Sequence, residues 1–225
     1  MAATSTCVVP IKGTHMRIIE LDVCGIPVTG ASGMVVVNDS FVQIVRSPQY
    51  EEGTEFFERN AAGAPCVNQK DDPTLKRFNL TVQLCSINVS ATAFVISARE
   101  LVTGTPTTGT GFAVAEGQPT NRYSLEVWQE VAGQGACDAD GNQRYIYNAF
   151  PNVGATMLGD YTIELARSIL EFTSETRAAA ASWAALVGAD WLPAGETVET
   201  DEHWVFNVTT VPPPTAACDP TTLAA

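Results

Sequence analysis

From Arg77 to Ile87 apolar and polar residues alternate without a fault, with Phe78, Leu80, Val82 and Leu84 on one side and Asn79, Thr81 and Gln83 on the other. Only an extended strand repeats every two residues, so this stretch is a strand with one face on a core. Weaker versions of the pattern recur. Met16 to Val23 sets Ile19, Leu21 and Val23 against Glu20 and Asp22. Tyr123 to Val131 sets Tyr123, Leu125 and Val127 against Ser124, Glu126, Trp128 and Glu130, with Arg144 to Phe150 as its expected hairpin partner. His203 to Val211 aligns Trp204, Phe206 and Val208 in a last strand. Val35-Val36-Val37, Asn38-Asp39-Ser40 and Phe41 to Val45 predict a hairpin with a short polar turn. In Asp160 to Leu165, Tyr161, Ile163 and Leu165 share a side, while Leu170 and Phe172 fall out of phase. That offset predicts a bulge or break near Arg167-Ser168.

One helix interrupts the strands. Asn88 or Ser90 can cap it, and Ala91, Phe94, Val95, Ala98, Leu101 and Val102 fall on one helical face. The Thr/Gly/Pro run from Thr103 to Gly111 ends it as a flexible connection. Arg177 to Val187 is Ala-rich and predicts a second short helix on propensity alone. Between Arg46 and Lys76 the periodicity stops at Ser47-Pro48, Gly53, the Ala61 to Pro65 run and Asp71-Asp72-Pro73. The prediction there is a loop of about 30 residues, and loops beyond roughly 15 are usually functional or disordered. Because it carries Tyr50, Phe56 and Phe57, burial against another surface is expected.

Hydrophobic residues make up 45% of the 225 and charged residues 16%, which argues against intrinsic disorder, and the length suits one large domain or two small ones. The net charge of −13 has the wrong sign for gripping a phosphate backbone. No run is long and apolar enough for a membrane span, and the N-terminal residues carry no basic region followed by an apolar run, so synthesis in the cytosol is expected. The six cysteines form no Cys-x-x-Cys pair and are expected to be free and mostly buried. With only His15 and His203, neither in a supporting motif, no catalytic arrangement or zinc set stands out, and neither an enzyme nor a cofactor is expected. Asp138-Ala-Asp140-Gly141-Asn142 has part of a calcium loop, but Ala149 stands where the closing Glu belongs, so an Asp-Gly turn is expected. Gly104 to Gly109 has the spacing of a phosphate loop, with Thr110 where the Lys is required.

Several segments, in this order, resemble the major tail proteins, or tail tube subunits, of long-tailed bacteriophages, especially those of actinobacteria. They are Arg59 to Val67, Leu75 to Cys85 running into a short helix and Thr103-Gly104, Leu125-Glu-Val-Trp128, Tyr145 to Val153, Gly159 to Glu164, and Asn207 to Pro213. Their order and spacing carry the resemblance. Where family members often have a Thr-Gly-Thr strand end and a Trp-Gly segment, this chain has Thr173 to Thr176 and the Ala-rich run with Trp183.

The resemblance implies a mainly β fold, a β-sandwich or barrel of the tail tube type with one flanking α-helix. The whole chain would be one such domain, with a long assembly loop at about 46–76 and an extended C-terminal tail at about 212–225. It implies rings of six copies stacked into a hollow tube. Implied partners are other copies of the chain, the tail terminator, baseplate or initiator and tape measure proteins, and viral DNA sliding through the lumen without specific binding. Tyr50, Phe56, Phe57 and Arg59 are then the assembly-loop candidates. Glu126, Glu130 and Glu164 are the lumen candidates, with a solvated outer face or inter-subunit contact as the other reading of these carboxylates. The competing functions are another phage structural sandwich (tail terminator, baseplate piece or capsid decoration protein) and a hydrolase or carbohydrate-binding sandwich.

Overall fold

The computed structural model describes residues 7–30, 33–104, 108–217 and 219–223. Along the chain the strands are β1 (Val9–Leu21), β2 (Val35–Asn38), β3 (Phe41–Glu51), β4 (Glu55–Arg59), β5 (Pro65–Lys70) and β6 (Thr74–Leu84). After α1 (Val89–Val95) come β7 (Arg99–Thr103), β8 (Thr108–Ala113), β9 (Arg122–Ala132), β10 (Tyr145–Ile163), β11 (Ser168–Thr176) and β12 (Val205–Thr209). The fold is mainly β and antiparallel, a sandwich with a flanking helix.

One sheet, in the order β2-β1-β9-β10-β11-β6-β3, folds over on itself. The hinge is β10. Its first half pairs with β9 and β12 and its second half with β11, with a register shift between Gly154 and Met157 where Ala155 takes φ 51°. A bulge with one left-handed residue bends a strand sharply, and here it carries β10 from one layer to the other. Between the layers lies the first core: Met16 and Ile18 of β1, Phe78, Leu80, Val82 and Leu84 of β6, Tyr123, Leu125 and Val127 of β9, and Phe172 of β11. The alternation in β6 is thus explained by one face on this core. Asn88 caps α1 by accepting the Ala91 N–H (3.0 Å), and Val95 and Ile96 close the core's end.

A second core covers the opposite face of β1, β9 and β10. Ile19, Leu21, Trp128, Tyr147 and Ala149 meet Ala179, Trp183, Ala184, Val187, Trp191 and Val198 from the segment after β11. The Ala-rich run therefore serves as a lid, with a π-helical turn at Ala184–Gly188. Small side chains let that backbone lie close to the sheet while Trp183 and Trp191 fill the gaps.

Several expectations change. Residues 46–76 are not a loop: β3 and β6 pair along their length, and β4 and β5 continue them as a protruding hairpin. Each breaker sits where a strand tolerates it, Pro48 on the edge strand β3, Gly53 beside the Asp71 carbonyl, and Ala61 to Ala64 at the tip. β2 and β3 are not a hairpin, because β2 pairs with β1 and β3 with β6, so Asn38 to Ser40 crosses between layers. The helix ends at Val95, where Ser97 takes φ 55°, and Leu101 and Val102 belong to the β7–β8 hairpin. Thr105 to Thr107, within the predicted flexible connection, lie outside the described residues. The offset at Arg167-Ser168 is a hairpin turn between β10 and β11. The C-terminal segment runs along the free edge of β2, with Val35 and Thr221 exchanging backbone hydrogen bonds of 2.8 Å. Cys7, Cys24, Cys66, Cys85 and Cys137 are free as expected but exposed, each in a turn, at an edge or on the arm. Cys218 lies outside the described residues.

Candidate assembly surface

The β4–β5 hairpin, with the ends of β3 and β6, forms an arm almost wholly in solvent. Its tip is built by Asn60, whose side-chain oxygen accepts the N–H groups of Ala62 (3.0 Å) and Ala64 (2.9 Å), with Gly63 at φ 82° completing the turn. Arg59 donates to the Gly63 carbonyl (3.1 Å) and lies over the Phe57 ring at 5.0 Å, so it braces the arm from within. Tyr50 is 59% exposed, Phe56 51% and Phe57 46%, with Val67 and Leu75 also in water. Scattered surface apolar residues are ordinary; this many on one two-stranded ribbon is not.

At the other end of the same sheet a second hairpin projects. Leu170 of β11 lies opposite Leu84 of β6, and Phe41 of β3 also meets Leu84, so the β10–β11 turn extends beyond the end away from the arm. It too is apolar and exposed, through Met157, Tyr161, Ile163 and Leu165. Glu164 stands in its turn, exposed and 3.5 Å from Arg167.

Glu126 is not a surface residue. It is 0% exposed, contrary to the lumen expectation, because the lid covers the β9 face on which it lies. Both Arg17 and Tyr147 donate to its carboxylate, Arg17 through Nε and, at 2.9 Å, through Nη2. The same Nη2 donates to the Val187 carbonyl of the lid (3.2 Å), and the guanidinium lies 4.4 Å from the Trp191 ring centre. Burial works against the Arg17 charge, but Glu126, with help from Tyr147 and Asp190, outweighs it and raises its pKa. Burial, with Glu126 beside it, holds the Tyr147 hydroxyl well above its ordinary pKa. This is a satisfied buried ion pair pinning the lid. Glu130 is partly exposed and paired with Lys12 at 3.2 Å.

Beside the free edges of β3 and β12 opens a cleft of about 450 Å³, lined by Gly13, Phe41, Ile44, Phe150, Trp204 and Phe206 with Gln43, Gln129, Asn148 and Arg46. A side chain at Gly13 would collide with the Phe41 ring, its Cβ 2.5 Å away, so glycine lets β3 lie close over β1. A larger, polar groove of about 610 Å³ lies between the β2–β3 connection, α1 and β7–β8. Among the described residues no group of His, Cys, Asp and Glu is placed to hold a metal ion, and no helix is long and apolar enough to cross a membrane. Asp138 accepts the N–H groups of Asp140 (2.9 Å) and Asn142 (2.8 Å), the expected turn, and its hydrogen bonds with Asn142 pull its pKa down.

The chain matches no known family model and no curated protein. The arm itself is the feature sequence reasoning mistook; the exposed apolar residues within it were legible, but the pairing that makes it a rigid ribbon was hidden by its turn-type residues.

Proposed function

We propose that this protein is a tail tube subunit of a long-tailed bacteriophage, a structural part of the virion. Copies join into rings of six, and the rings stack into the conduit through which the genome leaves. The observation that carries the reading is directional: two apolar, unpartnered hairpins leave one sheet at opposite ends. Two different patches facing opposite ways make head-to-tail contacts, which close into rings or continue as filaments, whereas a self-complementary patch stops at a dimer. The free edges of β3 and β12 offer further pairing to a neighbour. The charge of −13 suits a conduit in which DNA slides rather than sticks. Glu130 and Glu164 stay as lumen candidates, each already balanced by a cation, so the repulsion of DNA rests on the overall charge.

Negative-stain electron microscopy of the concentrated protein, alone and with a tail initiator, tests the proposal. Rings or tubes with sixfold symmetry are expected. A strictly monomeric profile under both conditions would overturn it.

A further inference from the structure

Arg46 is an unusual cation for a chain this acidic. It has no carboxylate partner among the described residues and sits over Trp204, its guanidinium carbon 3.6 Å from the ring centre, with Phe78 at 5.0 Å. The ring contact holds the planar fork in place and leaves its edge N–H groups to bind a carboxylate side-on. It is the one charged residue lining the cleft, whose walls are Phe41, Phe150 and Phe206. The cleft floor is braced: Trp204 Nε1 donates to Asn148 Oδ1 (3.2 Å), and Asn148 Nδ2 donates to Gln129 Oε1 (3.2 Å). The cleft thus sets an apolar wall beside a single cation.

The arm carries an apolar group beside an acid. Alternation along β4 divides it into two faces. On one, Glu55, Phe57 and Arg59 lie opposite Lys70, Asn68 and Pro65 in turn, so acids and cations mix. On the other, Phe56 and Glu58 lie opposite Gln69 and Val67, and Glu58 is the only charge. Among the described residues Glu58 has no cationic partner. Arg46 and Glu58 are 12 residues apart along one nearly continuous ribbon, which at strand rise separates them by roughly 40 Å. A chain therefore cannot fill its own cleft.

We propose that the Arg46 cleft receives the Phe56/Glu58 face of the arm of a second copy. Glu58 pairs with Arg46, and Phe56 covers the apolar wall beside Phe206. The inference rests on the assembly proposed above and names the acceptor that the arm finds there. Because arm and cleft are different patches, each copy gives one and receives one, and the contact propagates.

Charge exchange tests it. Arg46→Glu and Glu58→Arg should each raise the protein concentration needed for assembly by about tenfold or more, and the two together should return it to within about threefold of the parent. Both residues are exposed, so the thermal melt of dilute Glu58→Arg should match the parent, and Arg46→Glu should melt slightly lower through loss of the ring contacts alone. A contact map gives the second readout. With p-benzoylphenylalanine in place of Phe56, in tubes mixed from nitrogen-14 and nitrogen-15 copies, cross-links should run between differently labelled copies and end within residues 41–46 or 204–206. Tubes that form with both single variants unimpaired, or with cross-links ending elsewhere, would overturn this inference and leave the assembly reading standing. A parent protein that stays monomeric throughout would overturn both.

Discussion

β9 and β4 of the arm are both extended strands that mix aromatic with acidic residues, yet they end in opposite environments. Along β9, Ser124, Glu126 and Trp128 face away from the main core and are as buried as Tyr123 and Leu125, because the lid lies over them. Along β4, both Phe56 and Phe57 are in water, because nothing in the same chain covers either face. Alternation reports an extended backbone and two distinct faces. What covers each face is decided by residues far away in sequence, or in another molecule.

The largest effects should come from breaking what makes β9 two-sided. Glu126→Ala would leave Arg17 buried without its anion and should cost about 3–5 kcal/mol in urea unfolding, whereas Arg17→Met with Glu126→Leu should cost far less. Trp183→Ala, which removes the indole that fills the lid and donates to Ser124 Oγ (2.9 Å), should also cost about 3–5 kcal/mol. The arm should behave in the opposite way. Phe56→Ser with Phe57→Ser should change the stability of the dilute protein by no more than about 0.5 kcal/mol while abolishing assembly. A large loss of stability would mean that these rings pack within their own chain.

The smallest effect sits where the two layers meet. Thr176 Oγ1 accepts the Phe78 N–H (2.8 Å) and shares a hydrogen bond with His203 Nδ1 (3.0 Å). Burial lowers the His203 pKa below 6.5, with Asp201 opposing. The folded chain then takes up this proton less readily than the unfolded one. The contribution to stability is present above pH 6.5 and lost as the pH falls below it. Urea midpoints should decline gently over that range, and His203→Gln should flatten the decline.

Much of the body was legible because its signals are local. Phe78, Leu80, Val82 and Leu84 face the core as their alternation requires, Asn88 caps α1, and β9 pairs with the start of β10. Illegible features depend on distant partners. Glu126 looks like any strand-face carboxylate until Arg17, Tyr147 and the lid meet it. The β2–β3 turn reads as a hairpin until β1 and β6 each offer a longer pairing. In the candidate surface, Phe56, Phe57 and Tyr50 stood out as aromatic residues in a stretch with no core of its own, but the Arg46 cleft gave no sign because its walls come from β3, β9, β10 and the β12 region.

Hydrogen exchange followed on peptides covering residues 53–71 and 122–132, in dilute protein and in concentrated assemblies, tests most directly whether the arm is a surface awaiting another copy. The account predicts that the arm exchanges fast when dilute and at least about tenfold slower when assembled, while β9 is strongly protected in both. Equal protection of the arm in the two states would contradict it.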